Sequence, residues 1–101
     1  MGKKNSKNNE LLNIHRKKSS PKIYSLLLEL VNEDRENLAK IVLKVDYLLE
    51  YTSNSIKQRD YIEAKESLQK ARERIDMLKN ENVDVEYLEY LYDGISKRCK
   101  G

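Results

Sequence analysis

Asp60-Tyr61-Ile62-Glu63-Ala64-Lys65-Glu66-Ser67-Leu68-Gln69-Lys70-Ala71-Arg72-Glu73-Arg74-Ile75-Asp76-Met77-Leu78 is the stretch on which the fold class turns. Tyr61, Ala64, Leu68, Ala71, Ile75 and Leu78 recur at intervals of 3, 4, 3, 4 and 3, which is a heptad seam. The residues between them are mostly Glu, Lys, Arg and Gln, all good helix formers. Asp60 stands three residues before Glu63, an acidic variant of the capping box, and marks a helix start. Two alanines on the seam let a neighbouring helix approach closely. A lone amphipathic helix has nothing to bury that seam against, so the rest of the chain must supply partners.

Upstream, Leu38, Ile41, Val42, Val45, Leu48, Leu49 and Ile56 repeat at helical spacing and form one wide face of a long helix. Thr52 to Ser55 weaken its end. Before it, Ile23, Leu27, Leu30 and Val31 make a shorter stripe, thickened by Tyr24, Leu26 and Leu28. Pro21 suits the first turn of that helix, with Ser20 as its cap, because proline has no N–H to lose there. Asn32-Glu33-Asp34 reads as a cap or kink. Downstream, Asn80-Glu81-Asn82 breaks the seam helix and Asp84 caps a last one, with Val83 and Leu88 as a hydrophobic staple. Val85, Leu88, Leu91, Tyr92 and Ile95 are its inward stripe, and Gly94 weakens it.

The sum is an all-α protein: a small antiparallel three- or four-helix bundle over residues 21–98, since short connections place sequential helices side by side. Residues 99–101 are expected to fray. The Tyr61–Leu78 seam also allows a homodimer.

Composition agrees with this and narrows the function. The chain has 101 residues, one Pro, three Gly and one Cys, which leaves no intrachain disulfide and too few turn formers for a loop-rich β fold. The longest apolar run, Leu26-Leu27-Leu28, stops at Glu29, far short of a bilayer span. The parts of a catalytic constellation are missing. His15 is the only histidine and precedes the helices; Cys99, between Arg98 and Lys100, has no base partner in the pattern and reads as an incidental exposed thiol. Glu63, Glu66 and Glu73 lie opposite the seam, as a solvated face with local salt bridges. The expectation is a non-enzymatic protein with no cofactor and no metal.

The segment from Asp60 to Ala71, with Tyr61, Ala64, Leu68 and Ala71, resembles the second helix of a tetratricopeptide-type repeat, in which small residues recur because paired helices pack closely. The likeness covers about twelve residues, Thr52 stands where the preceding helix should have a small one, and no second copy follows. What it implies is a local packing solution, shared with the helix hairpins of peptide-binding adaptors.

Charge is distributed unevenly. Residues 1–22 carry seven basic side chains (Lys3, Lys4, Lys7, Arg16, Lys17, Lys18, Lys22) against Glu10, while the remainder is net acidic. With only Leu11, Leu12 and Ile14 as aliphatics, residues 1–20 read as a flexible basic arm that could contact phosphates of nucleic acid or an anionic membrane. No secretory h-region follows the basic residues. Met1-Gly2-Lys3-Lys4-Asn5-Ser6-Lys7 fits the N-myristoylation pattern, with Gly2 as the acceptor in a eukaryotic source. It is similar to the start of neuronal calcium sensor proteins, a match that ends at residue 7 and implies acylation alone, because no EF-hand loop follows.

Tyrosines supply the remaining signal. Tyr47, Tyr51 and Tyr61 are placed to cover one end of the core with their hydroxyls in water. Tyr87 and Tyr90 lie off the inward stripe of the last helix, beside Glu86, Glu89 and Asp93, and aromatics ringed by charge suit interfaces. The sequence therefore points to a small cytoplasmic interaction or regulatory (adaptor) protein. Its bundle would bind another protein through Tyr87, Tyr90, Glu86 and Glu89, and its arm would act as an electrostatic anchor. A nucleic-acid-binding accessory protein and an acylated, peripheral-membrane adaptor are the alternatives.

Overall fold

The computed structural model describes residues 21–99; Lys3, Lys4, Lys7, Arg16, Lys17, Lys18 and Gly2 lie outside them. The described residues form four helices and no strand: α1 (Pro21–Asn32), α2 (Glu36–Lys57), α3 (Tyr61–Asn80) and α4 (Glu86–Arg98). The chain is all-α, as the spacing requires. It divides into two compact units between Val42 and Leu43, inside α2.

In the first unit the α1 stripe is buried as read, with Ile23, Leu27, Leu30 and Val31 shielded and Tyr24 and Leu26 half-buried. Leu38, Ala39 and Val42 are the buried residues of early α2. Between them the chain does more than kink. Asp34 adopts a left-handed conformation (φ 66°), its N–H bonding to Val31 O at 3.0 Å, while Arg35 N–H reaches back to Leu30 O at 2.8 Å. This is a Schellman end, which satisfies the last carbonyls of α1 and turns the chain into α2.

The second unit is a three-helix bundle of the later part of α2 with α3 and α4. Its first turn repeats the device: Arg59 is left-handed (φ 61°) and Asp60 N–H bonds to Ser55 O at 2.9 Å. Asp60 then serves the next helix, its carboxylate accepting from Glu63 N–H at 3.2 Å. One residue thus closes α2 and opens α3. Asn82 (φ 63°) makes the third such turn, with Val83 N–H bonded to Leu78 O at 3.0 Å. Val83 and Leu78 are both buried, the apolar contact pair that accompanies this motif.

The seam of α3 packs inside the single chain: Ala64, Leu68, Ala71, Ile75 and Leu78 are all buried. A second copy would therefore need another face. Where the sequence suggested that Thr52 to Ser55 weaken α2, the helix runs on to Lys57, and Thr52 and Ser55 are themselves buried while Ile56 is half-buried. Thr52 Oγ1 donates to Leu48 O at 2.7 Å and lies 2.6 Å from Ser67 Oγ, so each hydroxyl proton has an acceptor. Small hydroxyl residues here let α2 and α3 approach and still leave no buried side-chain nitrogen or oxygen unpaired among the described residues.

On α4, Leu88 is fully buried and Leu91, Tyr92 and Ile95 are half-buried, so the inward stripe is tightest at its first turn. Asp84 accepts from Glu86 N–H at 3.1 Å, but the cap position itself falls on Val85. Cys99, expected to be exposed, is buried. The helix end is fixed there by Arg98, whose guanidinium donates to Ser53 Oγ of α2 at 2.9 Å.

Candidate functional site

Two surfaces of the second unit combine exposed aromatic area with ordered charge. The first is on α4. Tyr87 and Tyr90, three residues apart, bring their rings to 6.2 Å between centroids at 23°, a stacked pair. Tyr90 is 72% exposed and Tyr87 half-buried, so the pair presents one broad ring to solvent and anchors it with the other. Glu86 and Asp93 are exposed beside it.

Glu89 does not belong to that outward rim, contrary to the sequence reading. Its carboxylate turns toward α3 and accepts from Arg72 at 3.2 Å and from Lys79 at 3.0 Å. Arg72 also pairs with Asp76 at 2.7 Å, one turn along α3, and lies 5.2 Å from the centroid of Tyr92. The donated hydrogen bonds of Lys79 and then Arg72 hold the Glu89 carboxyl below its ordinary range. The hydrogen bond from Arg72 does the same for Asp76. Glu89 thus ties α4 to α3 at the rim of their contact.

The second surface is on α2 and the start of α3. Tyr47 and Tyr51 meet edge to face, 6.2 Å between centroids at 87°. Tyr51 does not leave its hydroxyl in water; it donates to Glu63 Oε1 at 3.1 Å, which draws Glu63 out of the solvated face assigned to it from spacing. That bond, with the negative charge of the same carboxylate, pushes the phenol of Tyr51 above its ordinary range. The two rings separate two troughs. One, of about 440 Å³, is lined by Tyr47, Glu50, Tyr51, Asp60 and Glu63 with amides from Asn54 and Gln58. The other places Lys44, Lys70 and Arg74 among Glu63, Glu66 and Glu73.

No family model, curated protein or solved structure matches the chain. The likeness of Asp60–Ala71 to a repeat helix therefore rests on its packing pattern alone.

Among the described residues no three His, Cys, Asp or Glu side chains converge as a metal site would require, and no helix is long and apolar enough to cross a membrane. Lys22 is exposed at the first turn of α1; it is the one member of the basic set within the described residues. Sequence reasoning found the α4 tyrosines by their offset from the stripe. It missed the troughs, whose signal was the i, i+4 spacing of Tyr47 and Tyr51 facing an acidic helix start.

Proposed function

We propose that this protein is a small cytoplasmic interaction module that binds another protein through the tyrosine face of α4. The reading rests on Tyr90, a large ring 72% exposed and stacked on Tyr87, carried by a helix that is anchored by the fully buried Leu88 and tied at its rim through Glu89. A rigid aromatic in that setting buries much area on binding at little entropic cost. Glu86 and Asp93 make the rim acidic, which favours partners with basic residues around an apolar pocket. The test compares partner capture from the native host by the full chain and by Tyr90→Ala and Tyr87→Ala. Loss of the captured protein, with melting temperatures kept within a few degrees, supports the reading. A partner retained at full strength by both variants removes it.

A second reading rests on the net charge of the first 22 residues, seven basic side chains against one acid. Such a segment would give salt-sensitive, sequence-independent contact with nucleic acid or anionic lipid. Deleting residues 1–19 should then abolish that binding, and raised salt should mimic the deletion because screening acts on exposed charge. Mass spectrometry of the mature N-terminus decides whether Gly2 is acylated.

A further inference from the structure

We propose that the trough between α2 and the first turn of α3 docks an arginine- or lysine-bearing segment of a partner protein. Three carboxylates, Glu50, Asp60 and Glu63, line it and no described Lys or Arg does. The adjoining trough differs in kind, because there Lys44, Lys70 and Arg74 face an equal number of glutamates. Glu63 borders both troughs, and the carboxylates without a basic neighbour in the lining, Glu50 and Asp60, are on one side of the Tyr47–Tyr51 ridge. Of that ridge, Tyr47 is 56% exposed, and it already holds a cation: the Lys44 ammonium lies 5.3 Å from its ring centroid. The ring is therefore presented in a way that suits an ammonium or a guanidinium.

The carboxylates are also held in place. Glu63 is fixed by Tyr51, and Asp60 by the α3 backbone N–H that it accepts. An incoming guanidinium would meet oriented acceptors beside an aromatic wall, the arrangement for which its planar fork is best suited. The phenol of Tyr51 is raised first by its hydrogen bond to Glu63 and then by the charge of that carboxylate, with Asp60 adding in the same direction. A nucleic acid or an anionic membrane would be repelled here, so the occupant is a cationic peptide segment. This surface is separate from the α4 tyrosines, and Tyr90→Ala should leave it intact.

The probe is an acetylated, amidated hexa-arginine peptide, titrated into the ¹⁵N-labelled full chain and followed by amide chemical shifts. The largest shifts are expected at Tyr47, Glu50, Tyr51, Asp60 and Glu63. Glu50→Gln with Asp60→Asn keeps the cap, since Asn caps as well as Asp, and should weaken binding about tenfold through loss of two nearby charges. Tyr47→Leu leaves every carboxylate in place and should weaken it about threefold. Two results overturn the proposal. One is a set of shifts spread evenly over exposed acids such as Glu66, Glu81 and Glu86, the sign of general counter-charge. The other is unchanged affinity in the charge-neutral double variant or in Tyr47→Leu.

Discussion

The two hairpins that share α3 are fastened by opposite means. Toward α2, the crossing is dry: Thr52 and Ser67 hydroxyls meet at 2.6 Å among buried alanines, and Arg59 sustains the turn in a left-handed conformation. Toward α4, the buried anchor is apolar, chiefly Leu88, and the polar ties are ion pairs at the rim, Arg72 and Lys79 on Glu89. A neutral hydroxyl pair shielded from water responds to neither salt nor moderate pH. Partly exposed ion pairs respond to both. The Thr52–Ser67 crossing is therefore insensitive to solution conditions while the rim of α4 is tuned by them, and the exposed tyrosine pair is carried by the tuned side.

The largest effect should come from emptying the anchor of α4. Leu88→Ala removes a fully buried side chain at the one tightly packed turn of that helix and should cost about 2–5 kcal/mol in chemical denaturation. If α4 depended on its ion pairs instead, the loss would be under about 1 kcal/mol, as for exposed pairs.

Next are the turns. Arg59→Gly relieves a left-handed arginine and should raise stability by about 1 kcal/mol. Asn82→Gly, at the equivalent position after α3, should gain less, because asparagine tolerates that conformation. Equal gains at both sites would mean that the strain is not set by residue type.

A double-mutant cycle on Thr52→Val and Ser67→Ala sharpens the dry side. Each single change leaves the surviving hydroxyl a backbone carbonyl, Glu63 O or Ala64 O for Ser67 and Leu48 O for Thr52. The coupling energy should therefore be about 1 kcal/mol and independent of salt. A coupling that vanishes at high salt would contradict a buried neutral bond.

The smallest effect is the titration of the rim. Glu89 and Asp76 have carboxyls lowered in the folded state by Lys79 and Arg72, so their stabilisation is complete above the ordinary carboxylate range. It is lost as pH falls through that range toward the lowered folded values, because the unfolded chain then binds protons first. Glu89→Gln should flatten this acid limb and change little near neutrality beyond about 0.5 kcal/mol. An acid limb unaltered by Glu89→Gln would assign it to other carboxylates.

How much of this could be read from residues follows the same division. The heptad spacing placed Ala64, Leu68, Ala71, Ile75 and Leu78 in the interior, because apolar periodicity is a direct record of which side of a helix is shielded. The α1 stripe was legible for the same reason. The turns were recognised as breaks but not as Schellman ends, since glycine, their usual mark, is absent at Asp34, Arg59 and Asn82. Thr52 looked like a helix-weakening polar residue and Ser67 stood off the apolar seam; only a neighbour supplying a second hydroxyl makes the two of them core. Glu89 looked like rim because sequence spacing does not say which way a long side chain bends. Of the candidate surfaces, the α4 tyrosines were visible as a departure from periodicity. The acidic trough was not, since it joins residues from two helices and the turn between them.

The Thr52–Ser67 contact has one more consequence, for the search by which the chain finds its native pairing. Among the buried residues of α3, Ser67 alone bears a hydroxyl; the others are Ala64, Leu68, Ala71, Ile75 and Leu78. Aliphatic seams of this kind tolerate slippage, because one methyl-lined step resembles the next. A hairpin collapsed one helical turn out of step would set Thr52 against Ala64 or Ala71 and forfeit the shared bond. At about 1 kcal/mol, that difference favours the correct alignment roughly fivefold before any side chain has fully packed. The pair acts as a proofreading mark, one polar notch in a greasy track that tells α2 how far along α3 to stop.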